Sequence, residues 1–145
     1  MKGFTLIEIL LVIIIILFCF GLIFPLGISF YNTEQLQATS QQILQTLRKA
    51  QLKAMSGQAD SIFGVYFDNT NKKYILFKGS SYVPPGDVSD ESFEFSSIIT
   101  ISGPSEVSFS KAEGKPNFTG NITLNSNGLI STININEIGR INLDL

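Results

Sequence analysis

The chain begins Met1-Lys2-Gly3-Phe4-Thr5-Leu6-Ile7-Glu8 and runs directly into Ile9-Leu10-Leu11-Val12-Ile13-Ile14-Ile15-Ile16-Leu17-Phe18, with no charged residue between Glu8 and Glu34. A helical apolar run of about 20 residues, rising about 1.5 Å per residue, is long enough to cross the hydrocarbon of a bilayer. Glu8 is the anomaly in this run. A charged side chain within a spanning helix costs about 2.5 to 3.5 kcal/mol even on a lenient insertion scale, so the carboxylate needs a partner. Cutting after Gly3 would expose a free amine at Phe4, and in an assembly that amine could belong to the neighbouring chain.

Two other readings of the segment fit less of it. A secretory signal peptide has an apolar core of about 7 to 15 residues and a small-residue cleavage site after it. Here the run is longer and leads into Phe30-Tyr31-Asn32-Thr33-Glu34. A plain signal anchor suits the length and keeps Lys2 on the cytoplasmic side, but it leaves Glu8 without a role.

The combination of Lys2-Gly3, Phe4, Thr5-Leu6-Ile7, Glu8 and the apolar run from Ile9 to Phe24 resembles the type IV pilins and pseudopilins. The resemblance implies that a prepilin peptidase cleaves after Gly3 and N-methylates Phe4, and that Glu8, the fifth residue after the cut, sets register during filament assembly. It places the chain in the bacterial inner membrane as a single-pass protein with its head outside the cytoplasm, and in a filament after assembly. Pro25 falls where many members carry a helix-bending proline. Proline removes a helical hydrogen bond and clashes with the preceding turn, and Gly21 and Gly27 flank it. A kink or a melted stretch is therefore expected there.

At 145 residues the chain has room for one domain, and removing the apolar arm leaves about 115 residues for a head. The expected division is a leader at 1–3, a transmembrane and assembly helix at 4–30, an amphipathic continuation at 31–57 and a β-rich head at 58–145. In the continuation Leu36, Ser40, Ile43, Leu47, Ala50 and Ala54 recur at helical spacing, while Gln41, Gln42, Gln45, Arg48, Lys49 and Lys53 lie mostly elsewhere. That stripe should pack on the head, with Gly57 as the stop.

From Ser61 the pattern changes to short β segments. Expected strands are Ile62 to Asp68, Lys73 to Lys78, Ser92 to Ile101, Glu106 to Ser110, Thr119 to Leu124, Leu129 to Ile135 and Arg140 to Leu143. Asn69-Thr70-Asn71-Lys72 signals a hairpin, and close spacing implies antiparallel pairing. Gly79 to Glu91, with Pro84-Pro85-Gly86, reads as a surface loop. The fold class expected is α+β, a long N-terminal helix packed on an antiparallel sheet head.

The head is most similar to the GspH/FimT type of minor pseudopilin, through Leu44 to Ala54, the first hairpin, Ile122-Thr123-Leu124, Gly128-Leu129-Ile130 and Ile138-Gly139-Arg140-Ile141. That likeness implies helix packing with other pilins or pseudopilins, recruitment by an inner-membrane assembly platform, and a role in protein secretion. The alternative it leaves is a minor type IV pilin for DNA uptake or adhesion at a filament tip. Some DNA-uptake subunits end with Gly-Arg-x-Arg, whose arginines contact DNA. Here the stretch reads Gly139-Arg140-Ile141-Asn142, so Arg140 stands as one weak candidate contact and the second arginine is absent.

Charge and composition narrow the remaining classes. A formal net charge of -2 gives no general attraction to nucleic acid. Neither histidine nor a head cysteine is present, since the single cysteine is Cys19 in the arm, so the usual zinc sets and histidine-activated nucleophiles are missing. Asp87, Asp90 and Glu91 lack the spacing of a calcium loop and read as a solvated acidic loop. Asn117-Phe118-Thr119 and Asn121-Ile122-Thr123 match glycosylation sequons, a match that an Asn-, Ser- and Thr-rich chain produces by chance. No catalytic residue, cofactor or metal site is expected.

Overall fold

The computed structural model describes residues 5–57 and 60–144, and for residues 22–29 the backbone alone. Its elements are one helix, α1 (Leu6–Met55), and eight strands: β1 (Phe63–Asp68), β2 (Lys73–Lys78), β3 (Glu91–Glu94), β4 (Ile99–Ser102), β5 (Glu106–Phe109), β6 (Gly120–Ser126), β7 (Leu129–Ile135) and β8 (Ile141–Asp144). The chain divides into two compact units, Met1–Glu34 and Gln35–Leu145. The α+β class expected from the sequence is the class observed. The head carries two antiparallel sheets where one was expected, ordered β3-β2-β1-β5 and β4-β6-β7-β8.

The helical part of the head is built on the stripe read from the sequence. Leu36, Ser40, Ile43, Leu47, Ala50 and Ala54 are all buried, joined by Thr39, Leu44 and Thr46. Ser40 Oγ donates back to Leu36 O at 2.8 Å, and Thr46 Oγ1 to Gln42 O at 2.9 Å, so these hydroxyls enter the interface without an orphaned donor. Gly57, at φ +68°, donates its N–H to Ala54 O, the left-handed stop that glycine makes cheaply. Against this stripe lie Phe63, Val65 and Phe67 of the first sheet and Ile122, Leu124, Ile133 and Ile135 of the second, in one continuous core.

Helical backbone runs unbroken through Gly21, Pro25 and Gly27, so the melted stretch does not occur. Proline removes one helical hydrogen bond, and continuing the helix on either side keeps the remaining backbone groups paired. The side chain of Pro25 lies outside the described residues.

The expected strand from Ser92 to Ile101 is two strands in different sheets. After β3 the chain turns at Ser96–Ile98, where Ile99 N donates to Ser96 O at 3.0 Å, and β4 then joins β6. Alternation continues across the turn, which hid it. Strands β6 and β7 run two residues closer together than expected, joined by Asn127-Gly128 alone, with φ of 50° and 88°. Two consecutive positive φ values define the tight hairpin turn that Asn-Gly favours.

Three of the four sheet edges receive bonds from this chain's own groups on their outer side. At β4, Asn69 Nδ2 donates to Ile101 O at 2.7 Å and Asn69 Oδ1 accepts from Ile101 N at 2.9 Å, while Lys72 Nζ donates to Ile99 O at 2.8 Å. At β5, Asn117 exchanges two bonds with Ser108, and Pro116 bridges Phe109. At β8, Arg48 Nη2 donates to Ile141 O at 3.0 Å. Asn69 and Asn117 imitate a further strand at β4 and β5, a recognised way of blocking unwanted pairing, while at β8 one carbonyl is capped.

Candidate assembly surface

Gly3 and Phe4, the expected processing residues, lie outside the described residues, as does any amine at Phe4. Glu8 sits in the first turn of α1, its N–H donating to Thr5 O at 3.1 Å. There a carboxylate is favoured by the positive end of the helix dipole. Its side chain is exposed and forms, with Ile9, Val12 and Ile13, a shallow apolar depression of about 280 Å³. Around it Leu6 and Ile7 are 82% and 73% exposed, and the run through Phe20 stays about half exposed or more. So large a continuous apolar surface, with no charged residue from Ile9 to Phe20, calls for a covering partner, either lipid or other helices. Among the described residues no helix is long and apolar enough to cross a membrane. The side chains described for the apolar run stop at Gly21, short of the about 20 residues a crossing takes. Cys19 is exposed on this surface as a free thiol.

At the other end of the chain, the structure separates the two parts of the Gly139-Arg140 pair. Gly139 is buried at φ +83°, and a Cβ there would stand 2.5 Å from Gln51 Nε2 and 2.8 Å from Gly114 O. Gln51 Nε2 donates to Gly114 O at 3.0 Å and to Gly139 O at 2.8 Å, tying the turn before β8 to α1. This glycine is required by packing. Arg140 is exposed, with Nε donating to Asn142 Oδ1 at 3.2 Å. The residue standing in place of the second arginine thus holds the first one along β8.

Acidic residues of the Gly79–Asp90 loop point to separate tasks. Asp90 accepts from Asp87 N at 2.8 Å and bends the loop back on itself, with Gly86 at φ +95°. Tyr82 stacks on Tyr66 at 4.6 Å between centroids, and its N–H donates to Glu106 at 2.9 Å, which fixes the base of the loop. Glu91 turns to α1, bonding Lys49 Nζ at 2.6 Å and Lys53 Nζ at 2.9 Å. Lys49 first, then Lys53, holds its carboxyl below the usual carboxylate range. Among the described residues no group of acidic or thiol side chains is placed to hold a metal ion.

Sequence reading missed a groove of about 620 Å³ in the head, between α1 and the outer edge of β3. It is lined by Gln42, Gln45, Thr46 and Lys49 on one side and by Tyr74, Ser92, Phe93 and Glu94 on the other. Tyr74 and Phe93 stack at 5.2 Å, and burial pushes the Tyr74 hydroxyl pKa up against the opposing hydrogen bond to Thr46. The glutamines on the exposed helix face were the only sequence signal, and they read equally well as solvated.

No family model matches the chain, and no curated protein does. Among solved structures, it is similar to the minor pseudopilin EpsH from the Type 2 Secretion System of Vibrio cholerae, with a TM-score of 0.57 and 13% identity. The likeness covers 76% of this chain and 96% of that one. At that identity what is shared is the fold, a pilin-like helix on an antiparallel head.

Proposed function

We propose that the chain is a non-catalytic structural subunit of a type IV filament machine, a minor pseudopilin of the GspH/FimT type serving protein secretion. The observation that carries this reading is the exposed apolar run from Leu6 to Phe20 at the start of α1, with Glu8 in its first turn, on a chain with a pilin-like head. The N-terminal motif supports it independently. In this reading a prepilin peptidase cuts after Gly3 and methylates Phe4, and the arm waits in the inner membrane. An assembly platform then moves it from lipid into a bundle of other arms. Apolar contacts are exchanged in that step rather than lost. Glu8 meets the Phe4 amine of an adjacent subunit, an attraction that grows as water is excluded and penalises any register leaving the carboxylate unmatched.

DNA uptake gains nothing from the geometry. Phosphate binding draws on clustered Lys and Arg, whereas Arg140 is held by Asn142 and Gly139 is accounted for by Gln51.

Mass spectrometry of membrane-extracted protein tests the proposal. It should find a chain starting at methylated Phe4, and Gly3→Leu should keep the leader attached. A wild-type chain retaining Met1-Lys2-Gly3 beside an active prepilin peptidase would refute it.

A further inference from the structure

The phase of the β2–β3 ladder fixes which backbone groups of β3 face outward. Strand β3 pairs with β2 in the register Tyr74↔Phe93 and Leu76↔Glu91, and the next pair in line exchanges the bond from Phe95 N to Lys72 O at 2.9 Å. In an antiparallel ladder bonded and non-bonded pairs alternate. Phe95, Phe93 and Glu91 therefore spend their N–H and C=O groups on β2, and Ser92 and Glu94 direct theirs away from the sheet. Among the described residues nothing of this chain covers those groups. At the other three edges Asn69 with Lys72 covers β4, Asn117 with Pro116 covers part of β5, and Arg48 caps one carbonyl of β8.

The uncovered edge opens into the 620 Å³ groove under α1. From this the geometry points to strand addition: β3 takes up an extended segment from the head of a different subunit in the same filament. The inference rests on the filament reading above. Backbone bonds to Ser92 and Glu94 would supply the register. The incoming residue opposite Phe93 falls in a non-bonded pair, where side chains approach most closely. It would cover the half-exposed Phe93 ring, so it should be apolar or aromatic. The residue opposite Glu94 should be Lys or Arg, because Glu94 is exposed and forms no ion pair among the described residues, whereas Glu91 already has Lys49 and Lys53.

Charge complementarity favours a different subunit over a second copy of this chain as the occupant. With Ser92 and Glu94 as the outward-bonding residues of both copies, Glu94 would face Ser92 or Glu94 of the second copy and meet no cation.

Hydrogen exchange on the full chain, in detergent and in assembled filaments, tests the inference. The amides of Ser92 and Glu94 should slow at least tenfold on assembly. Ser92→Pro removes an outward N–H without touching the β2 ladder, so it should lower incorporation at least fivefold, and Ser92→Ala should not. If Ser92→Pro melts below the wild type, Glu94→Pro serves as the equivalent probe. Benzoylphenylalanine at Ile13 reports arm packing, and at Ser92 it reports the edge. Arm crosslinks with unprotected Ser92 and Glu94 amides overturn strand addition alone. Absence of arm crosslinks overturns the filament reading and this inference together. Edge crosslinks that map to a second copy of this chain, or to a protein outside the filament, overturn the choice of occupant. Peptide-level mapping to an extended segment of another subunit's head, together with amide protection, is the supporting result.

Discussion

Substituting Gly139 by alanine should cost the head about 3 to 4 kcal/mol, through two separable effects. The first is conformational: an L residue forced to the left-handed φ of +83° loses about 1 to 2 kcal/mol. The second is the collision of the new Cβ with Gln51 Nε2 at 2.5 Å, which drives the amide out and breaks its bonds to Gly114 O and Gly139 O. Each such bond contributes about 1 kcal/mol net. Gln51→Ala alone should therefore cost about 2 kcal/mol. In that background Gly139→Ala should cost only the backbone strain and the remaining contact with Gly114 O. The double-mutant cycle should show a coupling of about 2 kcal/mol, within the range for residues in contact. Gly139→Asn separates the causes. Asparagine tolerates the left-handed region but still carries the Cβ, so it should recover the first loss and keep the second. Urea unfolding of the full chain in detergent, followed by circular dichroism, measures the wild type and all four variants. A Gly139→Ala loss under about 0.5 kcal/mol, or strictly additive single losses, would refute the argument and restore Gly139-Arg140 as a ligand motif in need of another explanation.

Two further predictions concern charges. Glu8→Ala should leave membrane insertion intact, because it removes a costly charge from an apolar arm, while incorporation into filaments falls sharply in a pull-down of assembled subunits; equal incorporation would show that pairing with Phe4 is dispensable. For Glu91, the folded-state pKa is depressed from 4.5 by Lys49 and Lys53, so its stabilisation is present above that value and disappears as pH falls through the depressed folded one. Glu91→Gln should thus destabilise near neutral pH, by under about 1 kcal/mol because the carboxylate is partly exposed, and match the wild type in strong acid. A difference that persists in acid would mean that the clasp is not ionic.

What the sequence made legible follows from which interactions are local. The stripe from Leu36 to Ala54 was readable because helical periodicity and burial agree at each position. The hairpin at Asn69–Lys72 was readable because Asp68 accepts from Thr70 N and Asn71 N within three residues. Strand boundaries failed where the deciding contact was distant. Nothing near Ser96 announces that Phe95 stays with Lys72 while Ile99 crosses to Ser126. Gln51, Arg48 and Asn69 escaped notice for the same reason: their partners lie 88, 93 and 32 positions away. A polar residue on a helix flank or in a turn looks solvated until tertiary structure brings a carbonyl to it.

The same distinction bears on where this head can vary and where it can recognise. Residues that cap a sheet edge from afar are fixed by a geometry two elements must share, so Asn69→Ala would remove a clasp between the two sheets as well as uncover β4. Strand β3 lacks such a clasp on its outer side. It is held instead from within, by the ladder to β2, by the Tyr74–Phe93 stack and by Glu91 on Lys49 and Lys53. An edge supported in this way keeps its shape while its outward Ser92 and Glu94 groups remain free to bond, and preorganisation of that kind lowers the ordering cost of taking up a partner. Of the four edges, β3 is the one whose outer groups receive no bond from this chain among the described residues, which makes it the edge best placed for strand addition.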